Sequence, residues 1–167
     1  MLVDDGKLEL LYNYVYYLSY ITILGMKGRI SIDRYIDKKY LNINGETSGY
    51  ITGLQIVNKH GFTTQNPSCF EICSNEATIK QQKQIIDGNT VIVYKPAIRI
   101  TSQNKSALQF LDLMTVIDKY CELSVPELRA WLRKYVDNKK VDYSLVKEYL
   151  PLYPDKVYRN IYHGVNR

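Results

Sequence analysis

The chain has 167 residues, of which 46% are hydrophobic, and its formal net charge is +5. This length fits one domain with a single sizeable core. The sequence has no run of about 18 apolar residues, which argues against a membrane-spanning helix, and its first residues carry two carboxylates and no long apolar stretch, unlike a secretory signal. The composition therefore predicts a cytoplasmic protein that does not insert into a membrane.

The cysteine pattern agrees with a reducing compartment. The chain has three cysteines, and none of them forms a Cys-x-x-Cys pair. Cys69 and Cys73 are four residues apart in a predicted strand, where same-face positions lie about 13 Å apart, which is too far for a disulfide. We therefore predict that these two residues and Cys121 are free thiols.

The N-terminal segment is predicted to be β structure. A largely apolar, β-prone run extends from Leu8 to Tyr17, and a second strand is predicted from Tyr20 to Leu24, before Gly25. Ser31 is a preferred helix N-cap and precedes apolar positions at helical spacing. The apolar positions of this predicted helix are Ile32, Tyr35, Ile36 and Tyr40.

The next segment is predicted to hold a turn and an amphipathic helix. The Asn44-Gly45 dipeptide marks the turn. The helix is predicted from Ser48 to about His60, and Gly61 is placed to end it. Its predicted apolar face consists of Tyr50, Leu54 and Val57.

A β hairpin is predicted after this helix. Cys69 to Cys73 forms a strand candidate, Asp87-Gly88 is a hairpin turn signal, and Thr90 to Tyr94 is the returning strand. Glu71 is expected on the exposed face of its strand. Asp87 is expected to serve the turn.

The remainder of the chain is predicted to be helical. Phe110, Met114, Ile117 and Cys121 form a buried stripe of one helix. Ser124 and Glu127 fit a capping box at the start of the next helix, Asp142 caps a third, and a last helix starts at Asp155. The predicted fold is therefore α+β: a small antiparallel or mixed sheet with two helices, followed by a helical C-terminal tail.

The sequence gives little sign of catalysis. Its two histidines, His60 and His163, have no cysteine or carboxylate at metal-ligand spacing, and it has no phosphate-binding loop. We predict no catalytic residue, no metal ligand and no cofactor. One enzymatic alternative stays open, a metal-dependent nuclease built on Glu71, Asp87 and Lys95.

Two groups of residues are candidates for binding. The first is a run of hydrogen-bonding side chains, Thr63, Thr64, Gln65 and Asn66, which fits both a functional surface and a structural turn. The second is a basic surface on the C-terminal helices, suited to phosphates or to acidic side chains. Its predicted members are Arg129, Arg133, Lys134, Lys139 and Lys140.

The segment Gly49 to Pro67, GYITGLQIVNKHGFTTQNP, resembles the effector domain of AbiEi-like proteins, the antitoxin and transcription-regulator half of type IV toxin–antitoxin (abortive infection) pairs. The resemblance also includes the helix Asp33 to Leu41 and the strand pair near Phe70–Ser74 and Val91–Tyr94. It implies a partner protein, a nucleotidyltransferase-like toxin, and an N-terminal winged helix-turn-helix that binds an operator.

The resemblance also predicts how the chain divides. Residues 1–24 are expected to be the remnant of a wing-like β hairpin, with Asn13-Tyr14 where such wings often have a glycine, and without the recognition helix. Residues 25–104 form the α+β effector core, and residues 105–167 form a helical region packed on it. The predicted function is partner binding with DNA contacts. The alternatives are the nuclease and a DNA-binding regulator that acts through its basic C-terminal helices.

Overall fold

The structure is a computed structural model that describes residues 8–12 and 15–165, with side chains described outside residues 11–15 and 163–165. The architecture is α+β, as predicted. The strands are β1 (Leu8–Tyr12), β2 (Val15–Leu18), β3 (Tyr20–Ile21), β4 (Lys27–Gly28), β5 (Asn42–Ile43), β6 (Glu46–Thr47), β7 (Gly49–Ile51), β8 (Phe70–Ser74), β9 (Gln81–Ile86) and β10 (Asn89–Tyr94).

The helices are short in the first half of the chain and long in the second. They are α1 (Ile32–Ile36), α2 (Gly53–Lys59), α3 (Lys105–Tyr120), α4 (Val125–Lys139), α5 (Tyr143–Tyr149) and α6 (Asp155–Val165). A π-helical turn, Asp37–Leu41, continues α1, and a 3-10 turn, Leu150–Leu152, follows α5. None of the described helices is both long and apolar enough to cross a bilayer.

The central sheet has four strands in the order β7-β8-β10-β9. Strands β8 and β10 are parallel, whereas β7 with β8 and β9 with β10 are antiparallel. The predicted Asp87-Gly88 turn joins β9 to β10, and both residues have positive φ. The sheet is therefore mixed, and its hairpin forms where the turn chemistry predicts it.

The predicted helix from Ser48 to His60 is wrong in its first part. Gly49–Ile51 is strand β7, in which Tyr50 pairs with Cys73 of β8, and helix α2 begins only at Gly53. The aromatic and β-branched residues of this stretch suit a strand. The end of the helix is as predicted, because Gly61 follows with a φ of +74°.

The core lies on both faces of the sheet. On one face, α1 and the π-helical turn cover β8 and β10 with Tyr35, Ile36, Tyr40, Ile72, Val91 and Val93. On the other side, the long helices enclose the largest cluster, which includes Phe62, Phe110, Leu111, Leu113, Met114, Leu132, Tyr135 and Val157. Tyr50, Cys73, Ile100 and Leu108 connect the sheet to α3.

The predicted caps and thiols are confirmed. Ser31 accepts a hydrogen bond from the Arg34 backbone, and Asp142 accepts one from Ser144. Ser124 forms the capping box of α4 with Glu127. All three cysteines are free.

Residues 8–12 and 15–28 form two small hairpins that we call the N-terminal arm. β1 pairs with β2, and β3 pairs with β4. The second predicted strand ends at Ile21, because Thr22 accepts and donates the hydrogen bonds of a turn that reaches Met26. Asn13-Tyr14, which the resemblance aligns with a common glycine position of such wings, lies outside the described residues.

Candidate functional site

The polar loop Thr63–Asn66 is held to the end of α3 by one carboxylate. Glu122 accepts hydrogen bonds from the Thr64 backbone at 2.7 Å, from the Thr64 hydroxyl at 2.8 Å and from the Gln65 amide at 3.1 Å. These bonds lower the pKa of Glu122 to about 2. Thr63 is buried and accepts a bond from the Gln65 backbone.

This geometry accounts for three of the four predicted loop residues. Their polar groups connect α2 to α3, and Asn58 adds a bond to the Gln65 carbonyl. Asn66 is exposed and makes none of these hydrogen bonds. Of the two readings that the sequence left open, the structural turn therefore explains the loop.

Two of the predicted basic residues line one surface pocket. Lys134 and Lys139 border a depression of about 220 Å³ beside His60, Trp131 and Asn138. We call it the basic pocket. The Lys134 ammonium lies 5.2 Å from the centre of the Trp131 ring, a cation–π contact.

The other predicted basic residues do not line that pocket. Leu132 and Val136 of α4 are buried, and by the helical period Arg129 and Trp131 lie on opposite sides of this buried stripe. Arg129 is half-buried, and Arg133 is exposed near it. Lys140 is exposed beyond the end of α4, with a φ of +49°.

The electrostatics of the basic pocket reveal cations that the sequence did not assign to it. The pKa of His60 falls to about 4, first because the ring is buried and then because Lys139 and Lys59 lie near it. Burial and the same two lysines also lower the pKa of Lys105. Four basic side chains from α2, α3 and α4 therefore share one region, although they are far apart in sequence.

The structure does not bring all three residues of the hypothetical nuclease together, because Glu71 and Lys95 line one cavity and Asp87 is not among its lining residues. Asp87 lies in the turn between β9 and β10, whereas Glu71 pairs with Ile92 in the middle of the sheet. The sequence predicted that Glu71 lies on the exposed face of its strand, but the residue is half-buried. Its carboxylate accepts bonds from the Leu54 backbone and the Tyr94 hydroxyl. Across the described residues, no group of three metal-ligating side chains forms.

The N-terminal arm carries the most exposed apolar surface of the described chain. Eight of the sixteen exposed large apolar side chains fall between residues 10 and 26, and Leu24 is 81% exposed. These side chains are Leu10, Tyr16, Leu18, Tyr20, Ile21, Ile23, Leu24 and Met26. None belongs to the buried clusters.

The β1–β2 hairpin has one apolar and one polar face. Leu8 pairs with Leu18, and Leu10 pairs with Tyr16, so these four side chains share a face. The opposite face contains Glu9 and its cross-strand partner Tyr17. The exposed face of the hairpin is therefore the apolar one.

The polar face joins the two hairpins into one unit. Glu9 accepts a hydrogen bond of 2.6 Å from the Tyr17 hydroxyl and forms an ion pair with Lys27 of β4. These two bonds lower the pKa of Glu9. In the β3–β4 hairpin the Tyr20 ring packs over Gly28, where an added Cβ would come within 2.2 Å of the ring. The glycine thus makes room for the aromatic side chain.

Comparisons of the chain with family models, with curated proteins and with solved structures found no match. Sequence reasoning found the β-prone arm but not its exposure. The alternation of Leu8, Leu10, Tyr16 and Leu18 was the available signal, since it predicts one apolar face without naming what covers it.

Proposed function

We propose that the chain is a non-enzymatic cytoplasmic binding module that holds a partner protein through its N-terminal arm. The partner class is the one that the AbiEi-like resemblance implies, a nucleotidyltransferase-like toxin. The observation that supports partner binding is the exposed apolar face of the β1–β2 hairpin, which packs against no buried cluster. The three free cysteines suit a reducing compartment.

The energetics of the arm favour a protein partner. A two-stranded hairpin by itself is marginally stable in water, and contiguous exposed apolar patches mark interaction sites in soluble proteins. Full burial of a Leu or Ile side chain contributes about 1.5–3 kcal/mol. Covering Leu10, Leu18 and Ile23 therefore stabilises both the arm and the complex.

Co-purification of the tagged chain with the neighbouring gene product, at low and moderate salt, tests this proposal. In the arm, Leu18→Lys and Ile23→Lys place charges on the proposed contact surface, while both positions lie outside the core. Ile79→Lys is the matched control, because Ile79 is 58% exposed in the segment that precedes β9, at the end of that strand opposite the Asp87 turn. We expect the wild-type chain and the control to form a stoichiometric complex, and each arm variant to weaken it at least about tenfold.

Two results would contradict the proposal. If no complex forms at either salt concentration, partner binding fails for this chain. If the chain forms a dimer through the arm without a partner, a second copy is the occupant. Light scattering of the purified chain distinguishes this second case, since only self-association changes its mass.

A second candidate function is DNA contact through the basic pocket. The supporting observation is the proximity of Lys59, Lys105 and Lys139 around His60, because an array of phosphates relieves the mutual repulsion of the three ammonium groups. We expect binding of duplex DNA to weaken steeply with salt. Lys139→Gln reduces the salt slope by about one, whereas Lys80→Gln leaves it unchanged because Lys80 lies outside the pocket.

A salt slope that is equal in the Lys139→Gln variant and in the wild type would place any DNA binding elsewhere. The variant Arg133→Gln then becomes informative, since Arg133 represents the other side of α4.

A further inference from the structure

A second cavity lies between the sheet and α3, apart from the arm and from the basic pocket. It measures about 300 Å³ and opens beside Lys95, Ala97 and Leu152. We call it the tyrosine cavity, because Tyr50, Tyr94 and Tyr153 line it. Ligand pockets in proteins begin at about this volume.

The floor of the cavity is a cross-strand row. Tyr50 of β7 pairs with Cys73 of β8, which pairs with Tyr94 of β10, so the three side chains lie on one face of the sheet. The register of the sheet therefore places aromatic rings on both sides of a thiol. Burial raises the pKa of Cys73 to about 12, and the thiol stays protonated.

The wall formed by α3 contributes a carboxylate. Asp112 accepts a hydrogen bond of 3.2 Å from the Thr52 hydroxyl, and the neighbouring hydroxyls of Tyr50 and Tyr153 favour its ionised form and act to lower its pKa. Burial nevertheless raises the pKa of Asp112 to about 6. Asp112 is half-buried as a residue and lines the cavity, while its carboxyl group is poorly hydrated.

Asp112 has no countercharge in the described chain. None of the ion pairs there includes Asp112, and no cation is among the groups that perturb it. Desolvated charges in proteins are normally paired. Glu71, whose bonds to Leu54 and Tyr94 are described above, adds a second carboxyl group to the lining. Of the described residues that line the cavity only Lys95 is cationic, and it is exposed at the opening and is not among the groups that shift the pKa of Asp112.

We propose that the tyrosine cavity binds a small organic cation, whose ammonium group pairs with the Asp112 carboxylate and packs against the surrounding tyrosine rings. Aromatic faces attract ammonium groups through their quadrupole, and a neighbouring carboxylate strengthens that attraction. The site is independent of the proposed partner-binding function, because it shares no residue with the arm.

Nuclear magnetic resonance titration of the full chain tests this inference with n-butylammonium chloride as the probe. 1-Butanol is its neutral isostere, and sodium butyrate is the anionic counterpart. We expect saturable shifts of the Tyr50 and Tyr153 ring signals with n-butylammonium, and at most weak shifts with the other two compounds. A titration with sodium chloride at equal ionic strength controls for the effect of the added salt.

Three variants assign the binding to the cavity. Asp112→Asn keeps the shape of the side chain and removes its charge, and we expect it to weaken binding about tenfold or more. Tyr153→Leu removes one ring at the half-buried edge of the cavity and weakens binding severalfold. Asp118→Asn is the control, because Asp118 lies on the exposed side of the same helix.

Four outcomes would overturn the inference. They are the absence of saturable binding by the folded wild-type chain, equal binding of 1-butanol, unchanged binding in Asp112→Asn, and equal loss in Asp118→Asn. A lysine-containing peptide that binds more tightly than n-butylammonium also contradicts it, since the occupant is then a protein side chain.

Discussion

The charge of Asp112 predicts that the protein loses stability as the pH rises through the mildly acidic range. Burial raises the pKa of this carboxyl group to about 6 in the folded chain, from an ordinary value of 3.8. Between these values the folded state binds more protons than the unfolded state, so the free energy of unfolding falls with increasing pH. A difference of about two pKa units corresponds to at most about 3 kcal/mol.

The variant Asp112→Asn isolates this effect. Its side chain has nearly the same shape and no titration, so it lacks this contribution to the pH dependence. We expect the free energy of unfolding of the variant, minus that of the wild type, to increase by up to about 3 kcal/mol between about pH 4 and pH 8. Urea unfolding followed by circular dichroism at intervals of pH measures this difference, and Asp118→Asn serves as the control.

The reasoning is refuted if the stability curves of Asp112→Asn and the wild type run parallel across this range. It is also refuted if the difference has the opposite sign, because Asp112 is then stabilised as a carboxylate by a cation that the described contacts do not include. A bound ammonium ligand has a distinct signature. It lowers the pKa of Asp112 and so flattens the wild-type curve.

Three further predictions concern contacts away from Asp112. In Gly53→Ala, the added Cβ would come within 2.0 Å of the Glu71 carboxylate at a φ of +64°. The control is Gly45→Ala, whose Cβ meets no atom within 4 Å and which costs only about 1–2 kcal/mol of backbone strain. Urea unfolding should show a larger loss of unfolding free energy in Gly53→Ala than in Gly45→Ala. Glu122→Gln should lower the melting temperature at neutral pH. The difference from wild type should shrink below about pH 4.5, because the hydrogen bonds that lower the pKa of Glu122 stabilise the fold only while its carboxyl group is ionised. A difference that stays constant with pH contradicts this prediction. The pKa of His60, about 4 in the free chain, should rise when duplex DNA binds, and the proton resonances of the ring measure it; an unchanged pKa in the complex argues against contact at the basic pocket.

Local signals in the sequence predict much of the fold. The capping box at Ser124 and Glu127 marks the start of α4, because its side chains satisfy backbone groups within one turn. Asp87-Gly88 specifies a hairpin for a similar local reason, since both residues tolerate positive φ. These elements depend on neighbours in sequence, which pattern analysis can read.

The stretch around Tyr50 shows where such reading fails. Tyr50, Leu54 and Val57 have helical spacing, yet Tyr50 belongs to a strand that pairs with β8. This pairing joins residues more than twenty positions apart and overrides the local pattern. The polar loop is a related case, because its carboxylate partner, Glu122, follows the end of α3 and lies 58 residues beyond Thr64 in sequence.

The tyrosine cavity depends even more on tertiary structure. Its lining consists of residues from paired strands, from a helix and from a turn far along the chain, so no short sequence motif predicts it. Asp112 reads in sequence as one polar position on an amphipathic helix, and only the packing of Tyr50 and Tyr153 against it shows a desolvated charge.

The separation of the three surfaces leads to one consequence for function. The arm is apolar and outside the core, the basic pocket is formed by helices α2 and α4, and the tyrosine cavity lies between the sheet and α3. Since α3 also carries Lys105 beside the basic pocket, a ligand in the cavity contacts the same helix that positions this lysine. The arm shares no buried cluster with α3. Coupling between sites is carried by packed elements. Binding in the cavity should therefore change the affinity of the basic pocket for its ligand more than the affinity of the arm for its partner.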